Sequence, residues 1–169
     1  WARENADFVI RGNHDRVCCG LESAETFNPA ARLSCKWTDT ELSPENREYL
    51  VELVSGPLQV NGFALVHGSV ADEDEYLIYP EDVARQDESS GNPVFFGHTH
   101  IQGGFVRFDN NVARIFPNED SVALNPEWRH WINPGSVGQP RDTVWEAGYV
   151  LYDGEKRLLE YHRCPYDVE

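Results

Sequence analysis

The sequence predicts a mixed fold in which short strands outnumber helices and the helices lie between strands, an α/β or mixed α+β arrangement. Three observations carry that reading. Short apolar runs recur along the chain, compact Asn- or Gly-bearing turns join several of them, and few segments carry helix start signals. With 169 residues there is enough chain for one ordinary domain with its own core, so 1–169 is read as a single domain.

Taken in order, residues 6–10 (Ala-Asp-Phe-Val-Ile) form an apolar run that stops at Gly12-Asn13, a strand signature. A helix is expected over residues 44–54. Ser43 can cap it, Pro44 suits its first position, and Tyr49, Leu50, Leu53 and Val54 make an apolar stripe before Gly56-Pro57 ends it. Residues 58–60 and 63–66 flank Asn61-Gly62, a strong hairpin signal. Residues 71–92 are acidic and polar, with one short helix expected over 80–85. Further strands are expected over 93–96, over 105–108 and 112–116 around an Asp109-Asn110-Asn111 turn, and at Trp131-Ile132. The last two, 148–152 and 157–161, are joined across Asp153-Gly154.

Composition narrows the function. Apolar residues make up 40% and charged residues 25%, which excludes disordered and fibrous classes. A net charge of −15 argues against binding a nucleic-acid backbone by charge alone. No apolar run approaches the ~20 residues of a membrane helix, and residues 1–20 carry no secretory signal, so a cytoplasmic location and no membrane partner are expected. Cys18, Cys19, Cys35 and Cys164 show no C-x-x-C spacing, and free thiols in a reducing compartment are expected.

The polar chemistry gathers where apolar runs end. Residues 8–11 lead into Gly12-Asn13-His14-Asp15, 63–66 into His67-Gly68-Ser69, 94–96 into Gly97-His98-Thr99-His100, and 131–132 into Asn133-Pro134-Gly135-Ser136. In sheets with helical covers, ligands bind beyond the carboxyl ends of strands. Each motif alone is weak: a G-N-H-D is usually a loop, a lone His67 usually a hydrogen-bonded core residue, and H-x-H also serves structural zinc. Together they bring four of the six histidines and one asparagine to strand ends, which points to a metal site. On an extended segment His98 and His100 face the same side. His130 and His162 sit in no motif and are expected outside the cluster. Imidazoles and an amide are neutral donors, so carboxylates are needed to balance paired divalent ions. Asp15 is better placed to orient His14 than to supply one, so the aspartates are expected ahead of Trp1.

The ordered blocks Gly12-Asn13-His14-Asp15, His67-Gly68 and Gly97-His98-Thr99-His100 resemble the calcineurin-like metallophosphoesterase superfamily, whose signature runs D-x-H, G-D, G-N-H-[D/E], a single His and G-H-x-H. Residues 133–142 (N-P-G-S-V-G-Q-P-R-D) resemble a segment of its small prokaryotic phosphodiesterase-like branch. The resemblance implies a mixed β-sheet sandwich flanked by helices, four layers in αββα order. The D-x-H and G-D blocks do not appear, so the resemblance implies a chain lacking its first strands. The stretch 165–169 resembles one that leads into a closing helix in the family. Carried over residue by residue, the resemblance makes Asn13, His67 and His98 ligands of a second metal and His100 a ligand of the first. His14 becomes the general acid, with Asp15 holding its ring, and Ser136 and Arg141 face the phosphate. The implied cofactors are two divalent ions, with manganese, iron, zinc, cobalt and nickel all compatible with such donors. The implied function is hydrolysis of phosphodiesters or phosphomonoesters of small molecules by a metal-activated water. Protein phosphatases and dinucleoside-polyphosphate hydrolases share G-N-H-[D/E], and a non-catalytic scaffold like the retromer-type subunit shares the fold. These remain the competing readings.

Overall fold

The structure is a computed structural model that describes residues 1–87, 90–117 and 121–167. Its elements in chain order are α1 (Ala2–Asn5), α2 (Asn13–Cys18), α3 (Pro29–Glu41), α4 (Pro44–Glu52), β1 (Leu58–Val60), β2 (Phe63–Val66) and α5 (Pro80–Ala84). After these come β3 (Val94–Phe96), β4 (Gly103–Phe108), β5 (Asn111–Ile115), β6 (Val122–Ala123), β7 (Arg129–Asn133), β8 (Ala147–Asp153) and β9 (Leu158–Cys164). Six strands form one mixed sheet in the order β1-β2-β3-β7-β4-β5, and three form a second in the order β6-β9-β8. Helices flank them, so the expected α/β sandwich class is the observed one. Val168 and Glu169, the end of the 165–169 stretch, lie outside the described residues.

The centre of the larger sheet is parallel: β2 pairs with β3 and β3 with β7. Strands buried on both faces need apolar side chains at consecutive positions, and these have them. The two-residue period sends Val94, Phe96 and Trp131 to one face, where they pack with Leu77 and with Val83 of α5. It sends Phe95 and Ile132 to the other, against Leu124, Leu159 and the aromatic residues of the second sheet. Ile132 and Leu159 are fully buried at this junction.

The turns follow local chemistry. Asn61 and Gly62 both adopt positive φ (45° and 93°), the type I′ geometry that suits a two-residue hairpin, and β1 and β2 pair across them. The second hairpin turns on Asp109-Asn110, because Asn111 already pairs with Phe108.

Three expectations are corrected. Residues 6–10 do not form a strand: Ile10 makes one parallel bridge to Val54, and Phe8 is half-exposed. A strand exists only through a neighbour's ladder, and among the described residues only Val54 supplies one. The helix expected over 44–54 stops at Glu52, and its apolar stripe is only partly covered, with Val54 exposed. Its cap is as expected, the Ser43 hydroxyl accepting from Asn46 N at 3.2 Å. Finally, α2 and α3 form where no helix was expected. Asn28 caps α3 by accepting from Ala31 N at 3.0 Å, and Pro29 opens it. Leu33 and Trp37 nevertheless point outward and Cys35 alone is buried, so apolar periodicity was too thin to read.

The loop after β2 depends on Gly68. A Cβ there would lie 2.5–2.8 Å from the carbonyl oxygens of Glu73, Asp72 and Glu75, while one on Gly138 would meet nothing within 4 Å. Overpacking against backbone typically destabilises by about 1–3 kcal/mol. Gly68→Ala is expected to lower the urea midpoint by that energy divided by an unchanged m-value, and Gly138→Ala to leave it within error.

Candidate metal centre at the strand ends

Parallel pairing brings the polar turns to one level. The register Val66↔Phe96 sets His67 beside Gly97, whose N–H donates to the His67 carbonyl at 2.8 Å. From the neighbouring strand end, buried Asn133 donates to Gly97 O and Thr99 Oγ1, both at 2.9 Å, and holds the Gly97–His100 turn. Asn133 was noticed in the sequence only as part of a turn, and its supporting role emerges from the sheet. Asn13 arrives at the first position of α2, behind Gly12. A Cβ on Gly12 would sit 2.8 Å from the His67 ring, so that approach needs glycine.

Three side chains converge. His67 Nε2 lies 3.0 Å from Asn13 Oδ1 and 3.1 Å from His98 Nδ1. His98 Nε2 donates to the Asp74 carbonyl at 3.1 Å, which leaves Nδ1 with a bare lone pair toward His67. At most one proton, on His67 Nε2, is available to three lone-pair atoms, an arrangement that a cation relieves. Donors about 2.1 Å from an ion and at right angles to one another lie about 3.0 Å apart, which matches this spacing. Among the described residues no three His, Cys, Asp or Glu side chains close on one point; the third donor here is an amide. His100 does not join by contact. Its Nδ1 donates to Gln139 O at 2.8 Å, and its ring lines a cavity of about 530 Å³ shared with Asn13, His67 and Arg141.

The H-x-H segment is not extended. His98 and His100 have φ of 56° and 60°, left-handed conformations that are strained for non-glycine residues and gather at functional sites. Burial lowers the pKa of all four site imidazoles: His67 to about 4, with the His98 charge adding to the effect, and His14, His98 and His100 also below their usual value. Arg141 deepens the shift for His14 and His100. At neutral pH these rings therefore present lone pairs.

The pairing expected of Asp15 takes another form. Asp15 Oδ2 accepts from Gly12 N at 2.8 Å and caps α2, a short-range partner reached without any rearrangement. The His14 ring has Cys35 Sγ 3.4 Å from Nδ1 and the Phe27 ring 4.8 Å away, both supplied by α3 and its approach. Ser136 does not line the cavities at the cluster; its hydroxyl accepts from Gln139 N at 3.0 Å and shapes the turn that carries Arg141. Arg141 lines both cavities at the cluster, and among the described residues no carboxylate pairs with it. His162 lies on the second sheet, stacked on Tyr149, and His130 is buried within β7, so both stand outside the cluster. Sequence reasoning missed Asp74, Tyr76, Phe27 and Cys35, which carry no motif.

Two sheets flanked by helices, with polar turns gathered at parallel strand ends, are consistent with a metallophosphoesterase fold. The chain is similar to the crystal structure of a metallophosphoesterase from Sphaerobacter thermophilus, with a TM-score of 0.70 and 28% identity over 94% of this chain and 66% of that one. That similarity agrees with the resemblance of the ordered polar blocks to calcineurin-like metallophosphoesterases. The hypothetical protein PH1004 from Pyrococcus horikoshii OT3 shares the fold, with a TM-score of 0.66 and 18% identity over 99% of this chain and 66% of that one. In sequence the chain is 30% identical to the uncharacterized protein MJ0912 of Methanocaldococcus jannaschii over 167 residues, which is 95% of this chain and 65% of that protein. It thus spans just under two thirds of the length of each relative. No protein-family model matches it. No helix among the described residues is long and apolar enough to cross a membrane.

The lowered imidazole pKa values set a pH dependence. His67 and His130, each near 4 because of burial, bind a proton more readily unfolded than folded between about 4 and the ordinary imidazole value of 6.5. Stability therefore falls as pH drops through that window and levels off below it. Urea midpoints of the chelator-treated protein at steps from pH 7.5 to 4 are expected to show the decline, and His130→Gln to lessen it. A flat profile would remove the assignment of buried, neutral rings.

Proposed function

We propose that the protein is a metal-dependent phosphohydrolase acting on phosphodiester or phosphomonoester bonds of small molecules. The observation that supports this best is His67 Nε2 lying 3.0 Å from Asn13 Oδ1 and 3.1 Å from His98 Nδ1, a donor set short of protons. Asn13, His67 and His98 would hold one divalent ion, and His100 would contribute to a second. Manganese, iron, zinc, cobalt and nickel all suit such donors. When bound, the ions supply Lewis acidity toward water and the phosphate oxygens.

The chain's own residues do the rest. Arg141, without a carboxylate partner among the described residues, meets the phosphate anion at the junction of the two cavities. His14 follows Asn13 directly and lines both cavities, so it reaches the same reacting group without being a ligand. In its protonated form the ring can give a proton to a departing alkoxide, and burial and Arg141 keep that form the minor one at neutral pH. Cys35 and Phe27 hold the ring in place. Asp15 fixes the start of α2 and thereby the position of both Asn13 and His14. Ser136 acts one step back, through the turn that presents Arg141. The free thiols Cys18, Cys19, Cys35 and Cys164 suit a reducing, cytoplasmic setting.

The test lies in the leaving group. Losing a general acid slows a reaction by ~10²–10⁴-fold when the leaving group needs its proton. In the intact protein His14→Ala is expected to slow alkyl phosphate esters on that scale, to slow nitrophenyl esters far less, and to keep the metal content. His98→Ala is expected to lower metal content and both activities together. Equal slowing of the two esters by His14→Ala, or loss of metal, would give His14 a ligand or binding role instead.

A further inference from the structure

A cavity of about 760 Å³ opens on the His98 side of the cluster, with Asn13, His14 and Arg141 at its border with the smaller cavity. That volume falls in the range of small-molecule sites. Its walls include two aromatic rings. Phe27 packs against the His14 ring, and Tyr76 lies over His98 with centroids 3.9 Å apart and planes 35° from parallel. Tyr76 is nevertheless 46% exposed and lines the cavity. A tyrosine serving only the core would be buried more deeply.

The charges on the same wall are asymmetric. Glu22 and Asp74 line the cavity, and both are held in place by one guanidinium, Arg16, which also binds Glu73 at 2.6 Å. Three carboxylates share two guanidiniums, Arg16 and, 3.5 Å from Glu73, Arg11, so that wall keeps an excess of one negative charge. The positive group is Arg141, next to the donor cluster. A ligand that fits has one anionic group at Arg141, an uncharged body, a flat face for Tyr76 and hydroxyls for the carboxylates to accept from. Carboxylates commonly recognise ribose hydroxyls, and aromatic side chains stack on nucleobases.

Building on the phosphohydrolase reading, we propose that this cavity is the leaving-group subsite and that it takes a nucleoside carrying a single phosphoryl group. Tyr76 is the stacking, specificity-determining residue. Glu22 and Asp74 accept from sugar hydroxyls and repel further phosphates.

Binding to the intact protein in chelator, measured by titration calorimetry with AMP, ribose phosphate and ATP, tests this without turnover. Stacking of one base corresponds to roughly ten- to a hundredfold in affinity, so AMP is expected to exceed ribose phosphate by at least about tenfold. ATP is expected to bind no more tightly than AMP. Tyr76→Ala should erase the advantage of AMP and Tyr76→Phe should keep it. Glu22→Gln, at an exposed position, should improve ATP binding relative to AMP and gives a second, independent reading. Equal binding of AMP and ribose phosphate, no binding of AMP, or an unchanged AMP advantage in Tyr76→Ala overturns the proposal. Manganese-dependent hydrolysis of nitrophenyl esters alongside equal AMP and ribose phosphate binding would sink the subsite and leave the phosphohydrolase reading standing. An AMP preference with no metal-dependent hydrolysis of any ester would do the reverse.

Discussion

Parallel pairing of β2, β3 and β7 obliges three chain segments to leave the sheet at one level and in one direction. Parallel strands cannot be joined by tight hairpins, so each ends in a loop free to carry polar groups while the strand itself stays apolar on both faces. His67, the Gly97–His100 turn and Asn133 are neighbours for this reason and no other. The Gly97 N–H bond to His67 O and the two Asn133 bonds then fix the turn closely enough to hold both histidines in left-handed conformations. Strain of order 1–3 kcal/mol per residue persists only where its surroundings over-determine it, and here buried Asn133 does so.

Electrostatics at the cluster differ from those of the whole chain. A net charge of −15 would repel a phosphate ester at long range. Around the site, however, Glu22, Glu73 and Asp74 are drawn onto Arg16 and Arg11 on one wall, which offsets most of their charge, and Asp15 is held in a capping bond. Arg141 remains as a cation facing the cavities, and burial keeps the imidazoles neutral, so they add donors without adding charge. Local arrangement, and not net charge, decides what can approach.

The second sheet contributes by anchoring the loop that bears Arg141. Asp142 accepts from Gln102 N at 2.7 Å and binds Arg163 on β9, and Gln102 donates to Pro134, Tyr149 and His162 carbonyls at 3.0–3.2 Å. The Arg141 N–H donates to His100 O at 3.1 Å. The H-x-H turn and the Arg141 loop are thus tied to one another and to both sheets, so His100 and the guanidinium keep a fixed relation.

Features governed by short-range physics were legible in the residues. Asn61-Gly62 specified a hairpin because only a few residue types tolerate two successive positive φ values, and Ser43-Pro44 specified a helix start because a cap acts within one turn. The ordered polar blocks were legible, as was the superfamily they resemble, because each block follows its own apolar run. Tertiary structure alone decided the partners. Asn13 and His67 are 54 residues apart, and His14 and Cys35 are 21 apart, and neither pair shares a motif. Residues 6–10 have the composition of a strand, but a strand also needs a neighbour that composition cannot specify. The aromatic wall of Phe27 and Tyr76 is likewise invisible in sequence, since rings on two distant loops meet one cavity only after sheet register and the packing of α2 on α3 have placed them. Side-chain identity sets what a residue can do, while the long-range packing of the sheets sets which group it does it to.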